Sequence, residues 1–120
     1  MISAIDGLPD NVIAFEASGK VSASDYESTL IPAVEAATEG DHKARFLLVF
    51  GSDFDGYEAG AAFDDAKMGS HHWGDFERIA FVSDHGVYRS GIKAFGFLMP
   101  GEVKVFSLAE LDEAKAWVAA

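Results

Sequence analysis

Arg45-Phe46-Leu47-Leu48-Val49-Phe50 sets five apolar side chains in a row behind one arginine. A strand points successive side chains to opposite faces, so an unbroken apolar run buries both of them. That is the pattern of a central parallel strand in a covered sheet. Arg78-Ile79-Ala80-Phe81-Val82-Ser83 reads the same way further along the chain. Helical patterns alternate with these strands, which implies parallel strands joined by right-handed crossovers and hence an α/β fold.

Toward the N-terminus, Ile2 to Ile5 reads as a short strand and Gly7-Leu8-Pro9-Asp10-Asn11 as a turn. Val12 to Ala17 follows as a second strand, with Ile13, Phe15 and Ala17 on one side and Glu16 on the other. The two strands are expected to pair as a hairpin. A helix opens near Ser22-Ala23-Ser24-Asp25-Tyr26-Glu27. Ser24 with Glu27 fits a capping box there, and Ser22 with Asp25 is the alternative register. Tyr26, Leu30, Val34 and Ala37 fall on one helical face. Pro32 interrupts the pattern and is expected to kink it, and Gly40 to end it.

Toward the C-terminus, helices are expected over Glu58–Trp73 and His85–Leu98, weakened by Gly60, Gly69, Gly91 and Gly96. Glu102 to Phe106 makes a last strand. Ser107 and Glu110 form a second capping box, with Phe106 and Leu111 as its hydrophobic staple. Leu111, Ala114, Trp117 and Val118 then give the buried face of a last helix. The expectation is an α/β fold with a mixed four- to five-stranded sheet and about four helices, in the order β-β-α-β-α-β-α-β-α. Helices one and four are expected on one face, and helices two and three nearer a cleft. Residues 1–120 are read as one domain, since 120 residues leave little room for a second core.

The chain is 49% apolar with ten phenylalanines, enough for a core that folds alone. Its net charge of −11 repels phosphate backbones and argues against nucleic acid as a partner. It contains no cysteine, which excludes disulfides, thiolate metal sites and cysteine nucleophiles. The start of the chain has no basic segment leading into an apolar core, so no signal peptide is expected. The longest apolar run, Phe46 to Phe50, is far short of the ~20 residues of a membrane helix. A cytoplasmic protein is expected, with peripheral contact at a membrane as an added option.

Several motifs together resemble one family. They are Gly19-Lys20-Val21, Asp25-Tyr26, Leu30-Ile31-Pro32 and Phe54-Asp55-Gly56. Further on come Phe63-Asp64-Asp65-Ala66-Lys67-Met68-Gly69, Phe76-Glu77-Arg78-Ile79-Ala80, Val105-Phe106 and Glu113-Ala114-Lys115-Ala116-Trp117. In this order and spacing they resemble the SpoIIAA-like family, over nearly the whole chain. The resemblance implies the fold of anti-sigma-factor antagonists (STAS), with a likeness to lipid-binding CRAL-TRIO domains. It also implies an apolar cleft under two mobile helices, and no catalytic activity. True antagonists carry a phosphorylatable serine in an Asp-Ser-(Ser/Thr)-Gly segment. Here that region reads Gly51-Ser52-Asp53-Phe54-Asp55-Gly56, so the motif is absent and no phospho-switch is expected.

Other constellations read more simply as structure. Asp64, Asp65, His71, His72 and Asp75 could bring carboxylate and imidazole together, but Gly69 breaks the helix between them, and no metal is expected. Asp53 to Glu58 echoes a calcium loop without its distal glutamate. Ser83-Asp84-His85 cannot form a triad by adjacency alone, and Asp84 reads as a cap for the following helix. No phosphate loop and no nucleophile elbow are present. No cofactor and no catalysis are expected.

The remaining signal is aromatic. Phe54, Tyr57, Phe63, Met68 and Trp73 cluster around the second expected helix, and Tyr88, Ile92 and Phe95 around the third. Aromatics and methionine suit an adaptable apolar cleft. These eight are the expected lining for a hydrophobic or amphipathic small molecule, lipid-like in character. Phe97-Leu98-Met99-Pro100 is the apolar edge for any membrane contact. The alternative is a regulatory protein-interaction module whose protein partner docks on Ser52, Asp53, Asp55 and Glu58. An edge strand, the first or the last, would also permit a homodimer.

Overall fold

The computed structural model describes residues 1–9, 11–39, 43–56, 76–86, 89–90 and 101–120. Five strands form one sheet in the order β1-β2-β3-β4-β5: β1 (Ile2–Ala4), β2 (Val12–Ala17), β3 (Ala44–Phe50), β4 (Phe76–Val82) and β5 (Glu102–Phe106). β1 pairs antiparallel with β2, as the hairpin reading requires. β2 through β5 are all parallel. β3 therefore sits inside the sheet, with Phe46 beside Ile13 and Ile79, and Leu48 beside Phe15 and Phe81.

The register slips once, between Ala44 and Arg45, where Ala44 faces Phe76 but Arg45 faces Arg78. Glu77 is the extra residue of this bulge, and Gly101 lies directly against it. A Cβ on Gly101 would run into the carbonyl oxygens of Phe76 and Glu77. No side chain fits where the chain enters β5.

The first helical body runs on without a break through α1 (Ala23–Asp25), a π-helical turn (Tyr26–Leu30) and α2 (Ile31–Ala37). Its cap is Ser22 with Asp25, not Ser24 with Glu27. The Ser22 hydroxyl accepts the Asp25 amide at 3.2 Å, and Asp25 accepts the Ser22 amide at 2.9 Å. Ser24 is already inside the helix, where its carbonyl accepts the Ser28 hydroxyl. The π turn explains how Pro32 is accommodated. Proline has no N–H and its ring presses on the carbonyl four residues back. Ile31 instead reaches the Tyr26 carbonyl, five residues back, and Pro32 falls in the first turn of α2 where its amide is not needed. Tyr26, Leu30 and Val34 are all wholly buried by this body.

After β5, a 3₁₀ turn (Leu108–Glu110) leads into α3 (Leu111–Ala119), with the expected Ser107–Glu110 capping box. Ala114 and Val118 are the wholly buried residues of α3, while Leu111 and Trp117 are half-buried. The first helical body and α3 lie on opposite faces of the sheet. Tyr26, Leu30 and Val34 join Ile13, Phe15, Phe46, Leu48 and Phe50. Ala114 and Val118 join Val12, Ala14, Leu47, Val49, Ala80 and Val82. This corrects the expectation that helices one and four share a face. A right-handed crossover between β2 and β3 commits the first body to one side. The segment after β5 packs on the opposite face, where Ala114 and Val118 meet Leu47 and Val49.

The expected count of about four helices and its alternating order are also corrected in part. Among the described residues the order is β, β, helix, β, β, β, helix, with two complete helical bodies. The expected second helix, Glu58–Trp73, lies wholly outside the described residues. Of the expected third, Gly86, Arg89 and Ser90 are helical, and the Arg89 amide donates to the His85 carbonyl at 3.1 Å. Gly40, the expected helix stop, lies outside the described residues.

Candidate functional site

The parallel strands end together, and the loops that follow them converge. Between these loops opens a pocket of about 310 Å³, lined by Phe50, Gly51, Ser52, Phe54, Ser83, Asp84, His85 and Leu108. Open α/β sheets take ligands at the carboxyl ends of their parallel strands.

The loop after β3 is held by its neighbour. Gly51 donates to the Ala17 carbonyl at 2.9 Å, Gly19 to Asp53 at 3.2 Å, Asp55 to Gly19 at 2.7 Å and Val21 to Gly56 at 2.9 Å. Gly19 and Gly56 take φ of 57° and 98°, the left-handed region that glycine enters without strain. A Cβ on Gly51 would sit 3.2 Å from Asp53 Oδ1 and 3.4 Å from Glu16 Oε2, so two carboxylates flank this turn. The result is a rigid loop with Ser52, Asp53 and Asp55 exposed and Phe54 half-buried. The Phe54 ring lies 4.7 Å from that of Phe50, which in turn stacks on Phe81 at 6.5 Å.

The loop after β4 is spliced to the one after β5. The Ser83 amide donates to the Phe106 carbonyl at 2.9 Å, and Asp84 Oδ1 accepts the Leu108 amide at 2.9 Å. Asp84 thus caps the turn after β5. Ser83 Oγ accepts the His85 amide at 3.0 Å, and Arg89 Nη1 donates to the Ser83 carbonyl at 2.8 Å. Ser83 Oγ and Asp84 Oδ1 therefore each accept from a backbone amide, those of His85 and Leu108. Glu110, in the adjoining capping box, has its carboxyl held below the usual range. The Ser107 amide contributes most, then the Ser107 hydroxyl, with the Arg89 charge a lesser aid.

Of the expected ligand-lining set, Phe54 lines this pocket, while Tyr57, Phe63, Met68, Trp73, Tyr88, Ile92 and Phe95 lie outside the described residues. Of the expected partner surface, Ser52 is on the pocket rim, Asp53 and Asp55 are on the same loop, and Glu58 lies outside the described residues. The residues weighed for a metal, Asp64, Asp65, His71, His72 and Asp75, and the apolar edge Phe97 to Pro100 also lie outside them. Sequence reasoning did not single out Phe50, Gly51, Ser83 or Leu108 as lining. The available signal was topological: parallel strands ending at Phe50, Val82 and Phe106 must bring the next residues of each together.

Comparison with known proteins agrees with this architecture. The SpoIIAA-like family model matches residues 12–119, and the chain belongs to the SpoIIAA-like family. A crystal structure of an uncharacterized protein with a SpoIIAA-like fold from Shewanella loihica is similar at 28% identity and a TM-score of 0.79. The match covers 98% of this chain and 92% of that one. No curated protein sequence matches the chain. Membership makes the chain a STAS-type binding or regulatory module, in a family generally without enzymatic activity. Among the described residues, no helix is long and apolar enough to cross a membrane.

Proposed function

We propose that the protein is a non-enzymatic module that binds a small amphipathic molecule in the pocket at the carboxyl ends of β3 and β4. The observation that carries this reading is the pocket's two-sided lining. Phe50, Phe54 and Leu108 offer an apolar wall, and Ser52, Ser83, Asp84 and His85 a polar one. Small-molecule sites combine these two features, and ~300 Å³ is the lower end of their range. A lipid-like tail would suit the expected apolar set Tyr57, Phe63, Met68, Trp73, Tyr88, Ile92 and Phe95, which lies outside the described residues. Native mass spectrometry of protein purified from its own host tests this. An added small-molecule mass is expected, and Phe54→Ala should reduce its occupancy. Bare protein in every preparation would overturn the reading.

A second reading draws on the rigidity of the loop after β3. Its cross-bonds to residues 17–21 hold Ser52, Asp53 and Asp55 outward in one conformation. Such a preorganised acidic loop suits a regulatory protein partner, since little ordering cost is left for binding. Affinity capture with wild type and with Asp53→Lys/Asp55→Lys should then differ in one specific partner.

A further inference from the structure

We infer that the pocket holds its ligand through the hydroxyl of Ser83, and that the ligand is an uncharged molecule carrying an oxygen acceptor on an apolar body. This rests on the pocket reading above and names the ligand class. Among the described residues the buried serine and threonine side chains are Thr38 and Ser83. Thr38 gives its proton to the Val34 carbonyl at 2.8 Å. Ser83, 1% exposed, behaves differently. Its amide and carbonyl are bonded to Phe106 and Arg89, and its Oγ accepts from His85. Its hydroxyl hydrogen has no acceptor among the described residues. A serine hydroxyl always carries one donor, and a buried donor left unmade is costly and calls for a partner.

Ser83 lines the pocket, so a bound molecule can supply that partner. A cationic group cannot accept a hydrogen bond from it. An anionic group meets Asp84 on the same wall and a chain of net charge −11. A neutral carbonyl or similar oxygen remains, with its apolar body against Phe50, Phe54 and Leu108. At about 30 Å³ per water-sized unit the pocket admits roughly ten non-hydrogen atoms.

Butyrophenone and butylbenzene form a matched pair of that size differing by one carbonyl. Ligand-observed NMR titration of both probes is run on the full chain and on Ser83→Ala. Ser83→Ala should weaken butyrophenone about fivefold, the worth of one neutral hydrogen bond, and leave butylbenzene unchanged. The hydrocarbon reports pocket shape, which matters because the substitution also frees the His85 amide. Equal losses for both probes, or no loss for the ketone, would overturn the proposal while leaving the pocket reading intact. Failure of both probes to bind the wild type would overturn both. Ser83→Cys, nearly isosteric and a weaker donor, gives the same selective loss if the alanine variant does not fold.

Discussion

The two ends of the sheet are made from the same strands and finished in opposite ways. At the amino ends, guanidinium groups close the structure onto the last turn of α3. Arg78 Nη1 donates to the Trp117 carbonyl at 2.7 Å, and Arg45 Nη1 to those of Val118, at 3.1 Å, and Ala120. Arg78 and Lys104 each sit 5.2 Å from the Trp117 ring. Helix ends leave carbonyls unsatisfied and carry partial negative charge, and these cations answer both. At the carboxyl ends, loops are joined chiefly through their own amides, and a pocket is left. The chain has nine basic residues against 20 acidic ones. Three of those nine are gathered where a helix end must be held. The opposite end is braced largely by backbone, which leaves side chains to face a ligand.

The contrast can be tested by substitution. The largest effect is expected from Gly101→Ala at the closed end. Its new methyl meets backbone oxygens that cannot move aside, so a loss of about 1–3 kcal/mol is expected in urea denaturation. An unchanged midpoint would mean that β5 has slack the structure does not suggest. Arg78→Ala removes a charged hydrogen bond and one of the cations over Trp117, and should cost about 2 kcal/mol. Trp117 fluorescence, followed through the same titration, should also change in the folded state.

Ser107→Ala removes the capping hydroxyl at the pocket end, where the 3₁₀ turn leaves β5, and should cost about 1 kcal/mol. Ser52→Ala, on the exposed rim of the pocket, should stay within about 0.5 kcal/mol of wild type. A larger loss there would mean that the rim braces the fold as the arginines do. The smallest effect concerns acid. Asp25 has its carboxyl held below the ordinary range, first by the Ser22 amide, which burial opposes in part, and then by the Ser22 hydroxyl and the amino terminus. Glu110 is lowered likewise by Ser107. A lowered folded value means the stabilisation is complete above the unfolded carboxylate range and lost as pH falls through the folded value. Thermal melts below about pH 4 should therefore drop less steeply in Asp25→Asn and Glu110→Gln than in wild type.

Much of the sheet was legible because burial on two faces leaves an unmistakable apolar run, as in β3, and an edge strand such as β5 alternates in polarity. Val12–Ala17 and Glu102–Phe106 match their expected bounds, and Phe46 to Phe50 lies within β3 as expected. The Ser107 box was legible because it is local, closing over three residues. The Ser22 and Ser24 boxes were equally good locally. Only the folded chain chooses between them: Ser22 and Asp25 bond reciprocally, while Ser24 lies inside the helix. The pocket was half legible: Ser52 and Phe54 stood out, whereas Ser83 looked like part of an inert tripeptide. Its significance comes from the carbonyl of Phe106 and the amide of His85, which confine it at the pocket wall.

Periodicity and capping chemistry, which act over a few residues, determined on their own most of the strands and the Ser107 start of the last helical segment, while the quoted motifs carried the family likeness. The side of the sheet each helix covers, the accommodation of Pro32 by a π turn, and the meeting of Phe54 with Ser83 and Leu108 were decided by tertiary structure. The reason is that each depends on which strands lie side by side and end together, and contacts between distant residues set that order.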